Sequence, residues 1–245
     1  MKRFGGIIKN DFKNFRQYNI LQTVVIISIL FALSMVFIPS IEPLLFVYVT
    51  VFILPVILLS VSIYIENEEK TLFPLAMADC NCQEIILAKM TSAIIMMFIP
   101  FILYIIIMYA VLGMTFNFIM FFLVYFLASL IHIVVGIVLA IISKSSQIMG
   151  ASYIAYIVIF SVMPIFYSES LIPTFFQYVL IVSPAYLSGL LFQEVMFVFS
   201  NVSTILVVLA IVLQIAYIGL LTYFVIRPYF KSYLFYRVNG KGDQS

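Results

Sequence analysis

Long runs of apolar residues, separated by short polar segments, make up most of this chain. A hydrocarbon core of about 30 Å needs roughly 20 apolar helical residues to cross it. Runs of that length predict six membrane-spanning helices: Ile20–Ile38, Leu44–Ile65, Met90–Leu112, Phe118–Ile142, Ile148–Tyr167 and Ser203–Ile226. Barrel strands are not expected, because the alternating polarity that marks them is absent. The predicted class is an all-α integral membrane protein, with residues 1–245 in a single transmembrane domain.

Composition supports the membrane assignment. Hydrophobic residues make up 65% of the chain and charged residues only 9%. A soluble domain averages about 25% charged residues. No water-soluble fold of this size could hide so much apolar surface, so this composition excludes that class.

The distribution of basic residues predicts the orientation. All 12 Lys and Arg residues fall on one side of the six-span arrangement, and the opposite loops have none. The positive-inside rule assigns that side to the cytoplasm. Both termini are therefore expected to be cytoplasmic.

The apolar segment Ile172–Gln193 is nearly long enough to be a seventh span. A seventh span would put the basic C-terminal tail outside, against the charge rule. Pro173 marks the start of the segment, and Pro184 divides it into arms too short to cross. We therefore predict a pair of short re-entrant helices within an outer loop of residues 168–202.

The opening segment, residues 1–19, combines an apolar stripe with a basic border. The apolar positions are Phe4, Ile7, Ile8, Phe12 and Phe15, and the basic ones are Lys9, Lys13 and Arg16. This spacing over three turns favours a helix lying in the inner membrane interface. The alternative is a charged flank that only fixes the topology.

The segment between the second and third predicted spans is unusually charged. Seven charged residues lie in residues 65–90: Glu66, Glu68, Glu69, Lys70, Asp79, Glu84 and Lys89. A loop that only joined two spans would need a handful of residues. An acidic turn followed by an apolar ridge with Leu72 and Leu75 is typical of a short helix start. We predict that residues 66–89 contact another protein.

Catalytic and metal-binding patterns are weak. Cys80 and Cys82 have no nearby histidine and fall short of a four-ligand zinc set. His132, alone in the fourth span, is interpreted as a residue that hydrogen-bonds between helices rather than as a proton relay. The chain has no phosphate-binding loop. We predict no catalytic residue, metal site, directly bound cofactor or nucleic-acid partner.

Three motifs, in this order, resemble a known family. They are EEKTL (Glu68–Leu72), DCNCQEIILAK (Asp79–Lys89) and LIPTFFQYVLIVSPAYLSGLL before the last span. Together with the layout, they resemble the membrane subunit of a type-2 ABC exporter over essentially the whole chain. The chain departs from the family pattern at Asp79, where proline is usual, and at Ala88, where glycine is.

The resemblance implies a role for each polar segment. Residues 1–19 would form an elbow helix, and residues 66–89 a coupling loop that docks on a separate cytoplasmic ABC ATPase carrying ATP and Mg. The residues implied in ATPase contact are Glu68, Glu69, Lys70, Thr71, Leu72, Leu75, Asp79 and Glu84. Ser183 and Pro184 would form the re-entrant turn.

The same resemblance implies the setting. The chain would be the permease half of an exporter for a hydrophobic or amphipathic substrate in the plasma membrane of a bacterium. It would form a dimer with a second permease copy or a close relative, with the lipid bilayer around both. The alternatives are a non-transport membrane binding protein, such as an immunity or assembly factor, and a secondary carrier.

Proline and small residues within the spans allow two interpretations each. Pro55 and Pro100 are possible helix kinks, or they only shape packing. Gly136 with Ala140, and Ala151 with Ala155, have the spacing that lets helices approach closely. These pairs would pack spans four and five together or serve the dimer.

Overall fold

The computed structural model describes residues 2–38, 42–71, 82–143, 145–162, 173–196 and 203–230, and all regular elements among them are helical. The predicted all-α class is confirmed. The α-helices in chain order are α1 Lys2–Gln17, α2 Ile20–Phe37, α3 Pro43–Glu68, α4 Cys82–Ile106, α5 Phe118–Ile142, α6 Ser146–Ile157, α7 Gln177–Leu180, α8 Pro184–Met196 and α9 Thr204–Leu220. Segments of π-helix extend α4 (Ile107–Val111), α6 (Val158–Val162) and α9 (Leu221–Ile226), and a 3-10 turn, Thr174–Phe176, precedes α7.

Five described helices are long and apolar enough to cross a membrane: α2, α3, α5, and α4 and α9 with their extensions. The chain is therefore a multi-pass membrane protein. Helix α6 is shorter, and the fifth predicted span continues to Tyr167, beyond the described residues. The count of six spans stays a prediction.

Local chemistry sets several helix starts. Asn117 Oδ1 accepts a hydrogen bond from the Met120 amide at the start of α5. Ser145 and Ser203 cap α6 and α9 in the same way. Such caps satisfy amides that have no partner within the helix, which matters more in lipid than in water. Helix α3 instead begins with Pro43, whose missing amide costs nothing at that position.

Helices α3 and α5 form the centre of the fold and pack along each other more extensively than any other described pair. Helix α1 lies mainly against α4, and α8 lies against α3, α5 and α9. Helix α9 leaves most of its apolar surface open, as a lipid-facing span does. This arrangement brings the N-terminal helix beside the ends of α3 and α4 that flank residues 72–81.

Candidate functional site

Three charged side chains from three helices meet in the interior at the α3–α4 end of the bundle. Lys89 Nζ of α4 donates a hydrogen bond to Asp11 Oδ1 of α1 at 3.0 Å and another to Glu66 Oε2 of α3 at 2.5 Å. All three residues are at most 2% exposed. Removing either partner of such a buried pair costs more than the pair contributes, because a lone buried charge is left. The cluster therefore fixes three helices relative to one another.

Two serines complete this cluster, which we call the charged junction: Asp11, Ser62, Glu66, Lys89 and Ser92. Ser62 Oγ donates to Glu66 Oε1 at 3.0 Å, one helical turn away. Ser92 Oγ lies 2.9 Å from Asp11 Oδ2. All four carboxyl oxygens thus have a hydrogen-bond partner, as a buried polar network requires.

Burial sets the electrostatics of Asp11. It raises the pKa of the Asp11 carboxyl, because the charged form loses its hydration. The Lys89 ammonium opposes this shift but does not cancel it, and the nearby Glu66 carboxylate adds to it. Asp11 thus holds a proton more readily than an exposed aspartate does.

The helical spacing of α1 places Asp11 in the interior. Ile7 and Phe15, one turn before and one turn after Asp11, are also buried. The basic residues of the opposite face, Lys9, Lys13 and Arg16, are exposed. The predicted amphipathic helix exists. The centre of its apolar face, however, packs on the other helices of the protein and not on the membrane interface.

Helix α3 ends in a defined turn just beyond the junction. The Thr71 amide donates to the Glu66 carbonyl, and the Lys70 amide to the Asn67 carbonyl. Lys70 adopts the left-handed conformation, with φ 58°. This pattern is a Schellman motif, which satisfies the last carbonyls of a helix.

Tyr18, at the end of α1, donates a hydrogen bond to Glu69, the last residue before that turn. Partial burial and the carboxylate partner raise the pKa of Tyr18 to about 12. The contact is a second, more exposed link between α1 and the end of α3.

The structure corrects the bounds of the predicted loop, residues 66–89, while its role as a coupling loop stays a prediction. Helix α3 continues to Glu68, and α4 already begins at Cys82, so both ends of the predicted loop are helical. The reason is that Glu66 and Lys89 pair with each other in the interior and do not need water.

The predicted ATPase-contact residues fall into two groups. Glu68, Glu69, Lys70 and Thr71 are exposed at the end of α3, and Glu84 is exposed in the first turn of α4. Leu72, Leu75 and Asp79 lie outside the described residues, as does Cys80, which is not one of the predicted contact residues. None of the predicted contact residues belongs to the charged junction.

Sequence reasoning missed the junction itself. One signal was available: Asp11 is the only acid of the opening segment, and its helical position falls between Ile7 and Phe15 on the apolar stripe. An acid in that position needs a buried partner.

Residues 4–197 match the sequence model of the family described as ABC-2 type transporter. The match covers more than half of the chain. This protein belongs to the ABC-2 type transporter family. The chain is therefore a membrane component of an ABC transporter. No curated protein and no solved structure matched the chain.

In this ABC-2 family member, Gly136 explains the tight contact of the two central helices. A Cβ at Gly136 would lie 2.9 Å from the Val56 carbonyl oxygen and 3.2 Å from that of Pro55. Only glycine lets the α5 backbone approach α3 so closely. Gly136 thus packs spans two and four, whereas the sequence leaves open whether its pair with Ala140 packs spans four and five or serves the dimer. Pro55 lies inside α3 at this contact, and Pro100 is buried inside α4.

His132 lies one turn from Gly136 on α5. Its Nδ1–H donates to the Ala128 carbonyl of the same helix at 2.6 Å. Its ring meets the Phe52 ring of α3 edge to face, with centroids 5.1 Å apart. Among the described residues, His132 therefore joins the two helices by an aromatic contact, not by the predicted hydrogen bond.

The predicted re-entrant turn joins α8 to two other helices. Pro184 is the first residue of α8, and the Ser183 hydroxyl donates to the Phe160 carbonyl at 2.9 Å. Further along α8, Ser188 Oγ accepts a hydrogen bond from Gln214 Nε2 of α9 at 3.0 Å. The two short helices α7 and α8 exist, whereas their entry into the bilayer stays a prediction.

Proposed function

We propose that this chain is the permease half of an ATP-driven exporter that moves a hydrophobic or amphipathic substrate out of the cell. A separate cytoplasmic ABC ATPase supplies the energy, with ATP and Mg bound on that subunit. Membership in the ABC-2 type transporter family supports the transport role. The one-sided distribution of the 12 basic residues supports a plasma-membrane protein with both termini in the cytoplasm. The proposed cell is a bacterium.

The charged junction carries the coupling part of the proposal. Glu66 on α3 and Lys89 on α4, the two helical stems of residues 72–81, pair with each other, and Asp11 ties the α4 stem to α1 through Lys89. A force applied to the segment between the stems would move α3 and α4 as one body, together with α1. A floppy linker would dissipate that force.

The exposed ends of the stems supply the docking surface. Glu68, Lys70 and Thr71 extend α3 toward this surface, and Glu84 opens α4. The sequence places the apolar Leu72 and Leu75 between these stems, and the apolar ridge it predicts there would have a charged rim, a common interface layout.

A second copy of the chain completes the path. On α6, Ala151, Ile154 and Ala155 are exposed, and nothing lies within 4 Å of a Cβ built at Gly150. Small residues let two helices approach closely in lipid, so this face suits a permease partner.

The test replaces Leu72 and Leu75 together by Asp and measures copurification of the ATPase. Each buried leucine contributes about 1.5–3 kcal/mol, and a buried carboxylate adds a penalty, so binding should be lost. The matched control is Glu84→Gln, which should reduce binding little, because exposed ion pairs contribute about 0–1 kcal/mol.

Membrane insertion of both variants is checked by resistance to alkaline extraction. Undiminished ATPase binding by the inserted Leu72→Asp, Leu75→Asp variant would overturn the coupling role of this segment.

A further inference from the structure

The charged junction contains an uncompensated charge if all its groups are ionised. Asp11 and Glu66 contribute two negative charges, and Lys89 contributes one positive charge. No other charged side chain among the described residues is buried. A site with one net negative charge in the interior is unfavourable, and such groups commonly neutralise by taking up a proton.

The position of Ser92 shows where a proton is accommodated. Its Oγ lies 2.9 Å from Asp11 Oδ2 and also 2.9 Å from the Ala88 carbonyl oxygen. A hydroxyl has one hydrogen, so it donates to only one of these two acceptors. If Asp11 carries a proton on Oδ2, that proton is donated to Ser92 Oγ, and Ser92 donates its own hydrogen to Ala88. Both contacts are then satisfied at once.

Glu66 has the surroundings of an ionised carboxylate. Its Oε2 lies 2.5 Å from Lys89 Nζ, closer than the 3.0 Å between Lys89 Nζ and Asp11 Oδ1. Short distances are typical of charge-assisted hydrogen bonds. Its other oxygen accepts from the Ser62 hydroxyl.

We propose that the charged junction is a proton-binding site in which Asp11 carries the proton on Oδ2 and donates it to Ser92, while Glu66 and Lys89 form the ion pair. The junction is then neutral overall. The raised pKa of Asp11 agrees with this assignment. This assignment is made for the folded chain by itself and does not depend on an ATPase partner.

Release of this proton makes the docking of α1 depend on pH. The pKa of Asp11 is higher in the folded than in the unfolded chain. The contribution of protonated Asp11 to the docking of α1 is therefore complete below the unfolded-state pKa, and it is lost as pH rises through the folded-state pKa. The other described titratable groups on the packed elements are outside the junction. They are Arg3, Lys9, Lys13, Arg16 and Tyr18 on or beside α1, Tyr48, Tyr64, Glu68, Glu69 and Lys70 on α3 or at its end, and Cys82, Glu84 and Tyr104 on α4. Helix α2 has none.

Isotope-edited infrared spectroscopy tests the proton directly. The whole chain, labelled with ¹³C at the aspartate carboxyl carbons, is measured in nanodiscs across a pH series from acid to alkaline. A carbonyl stretch of a protonated aspartic acid should persist above the pH at which an exposed aspartate ionises, and this persisting band should be absent in Asp11→Asn. It should also be absent in Glu66→Gln, because Asp11 then becomes the ionised partner of Lys89. If the wild-type protein loses every such band at the pH of an exposed aspartate, the assignment is overturned, whatever the variants do.

Spin labels test the consequence for docking. The labels are placed at Lys13→Cys and Leu87→Cys, both exposed positions on α1 and α4, in a Cys80→Ser, Cys82→Ser background. The distance distribution should broaden as pH rises through the raised folded-state pKa of Asp11. Asp11→Asn should stay narrow throughout, because its amide donates to Ser92 at any pH. The same pH response in both proteins would overturn the link to docking.

Discussion

Helix α3 makes two contacts of opposite character. At its α4 end, Glu66 joins a cluster of charges and hydroxyls from α1 and α4. In its middle, the backbone around Pro55 and Val56 lies directly against Gly136 of α5. Phe52 and His132 pack edge to face beside that contact. One helix is thus held by charge pairing at one end and by close backbone packing at its centre.

The two contacts tolerate different changes. Backbone packing against a glycine does not depend on a charged or polar partner. It leaves no room, however, for even one added methyl group. The charged junction tolerates replacement of all its charged groups by neutral ones. It loses stability when only one partner is removed. We therefore expect the centre of α3 to be rigid and its α4 end to respond to charge and protonation.

The largest predicted effect is at the junction. Lys89→Met keeps a long side chain but leaves Glu66 without its cation, so we expect a loss of stability of about 3–5 kcal/mol. The measurement is the fraction of monodisperse protein that remains in detergent after heating, as a function of temperature. The control is Lys13→Met, an exposed lysine on the opposite face of α1, which should change little.

A combined variant distinguishes a lost partner from lost volume. Asp11→Asn, Glu66→Gln and Lys89→Met together leave no ionisable group in the junction, and replacing a buried ion cluster by neutral groups is often nearly neutral for stability. The combined variant should be more stable than Lys89→Met alone. An equal or larger loss would show that the charges themselves are not what makes the single change costly.

The packing contact gives the next largest effect. Gly136→Ala places a methyl group 2.9 Å from the Val56 carbonyl, so α3 and α5 must separate, at a cost of about 1–3 kcal/mol. Gly219→Ala on α9 is the matched control, since nothing lies within 4 Å of its Cβ position and alanine favours a helix by about 0.5–1 kcal/mol. The same heating assay should therefore move in opposite directions for the two variants. A stable Gly136→Ala would mean that the helices are not in close contact there.

The difference between the regions also explains what the sequence could predict. The central helices follow from apolar runs, because lipid demands apolar side chains and internally bonded backbone along every span. The ends were less predictable. Glu66 and Lys89 were interpreted as loop residues, since charge normally marks contact with water, yet both are buried in helices.

The junction required knowledge of distant pairing. Asp11 and Lys89 are 78 positions apart, and no periodicity within either helix connects them. The acid on the apolar face of α1 indicated a buried partner but not which one. Gly136 was recognised as a packing residue, but spacing alone could not identify α3 as its partner.

The smallest predicted effect concerns the exposed rim of the junction. Tyr18→Phe removes only the hydrogen bond to Glu69, so we expect a loss below about 1 kcal/mol at neutral pH, as for other exposed contacts. Because the pKa of Tyr18 is raised to about 12, the wild-type hydrogen bond should persist as pH rises past the ordinary tyrosine pKa. It should disappear only as pH rises through the raised pKa. The measurement is ultraviolet titration of the phenolate beside the heating assay, with Tyr178→Phe, a highly exposed tyrosine, as the control. A loss as large as that of Lys89→Met would mean that the Tyr18 contact, and not the buried cluster, holds α1 in place.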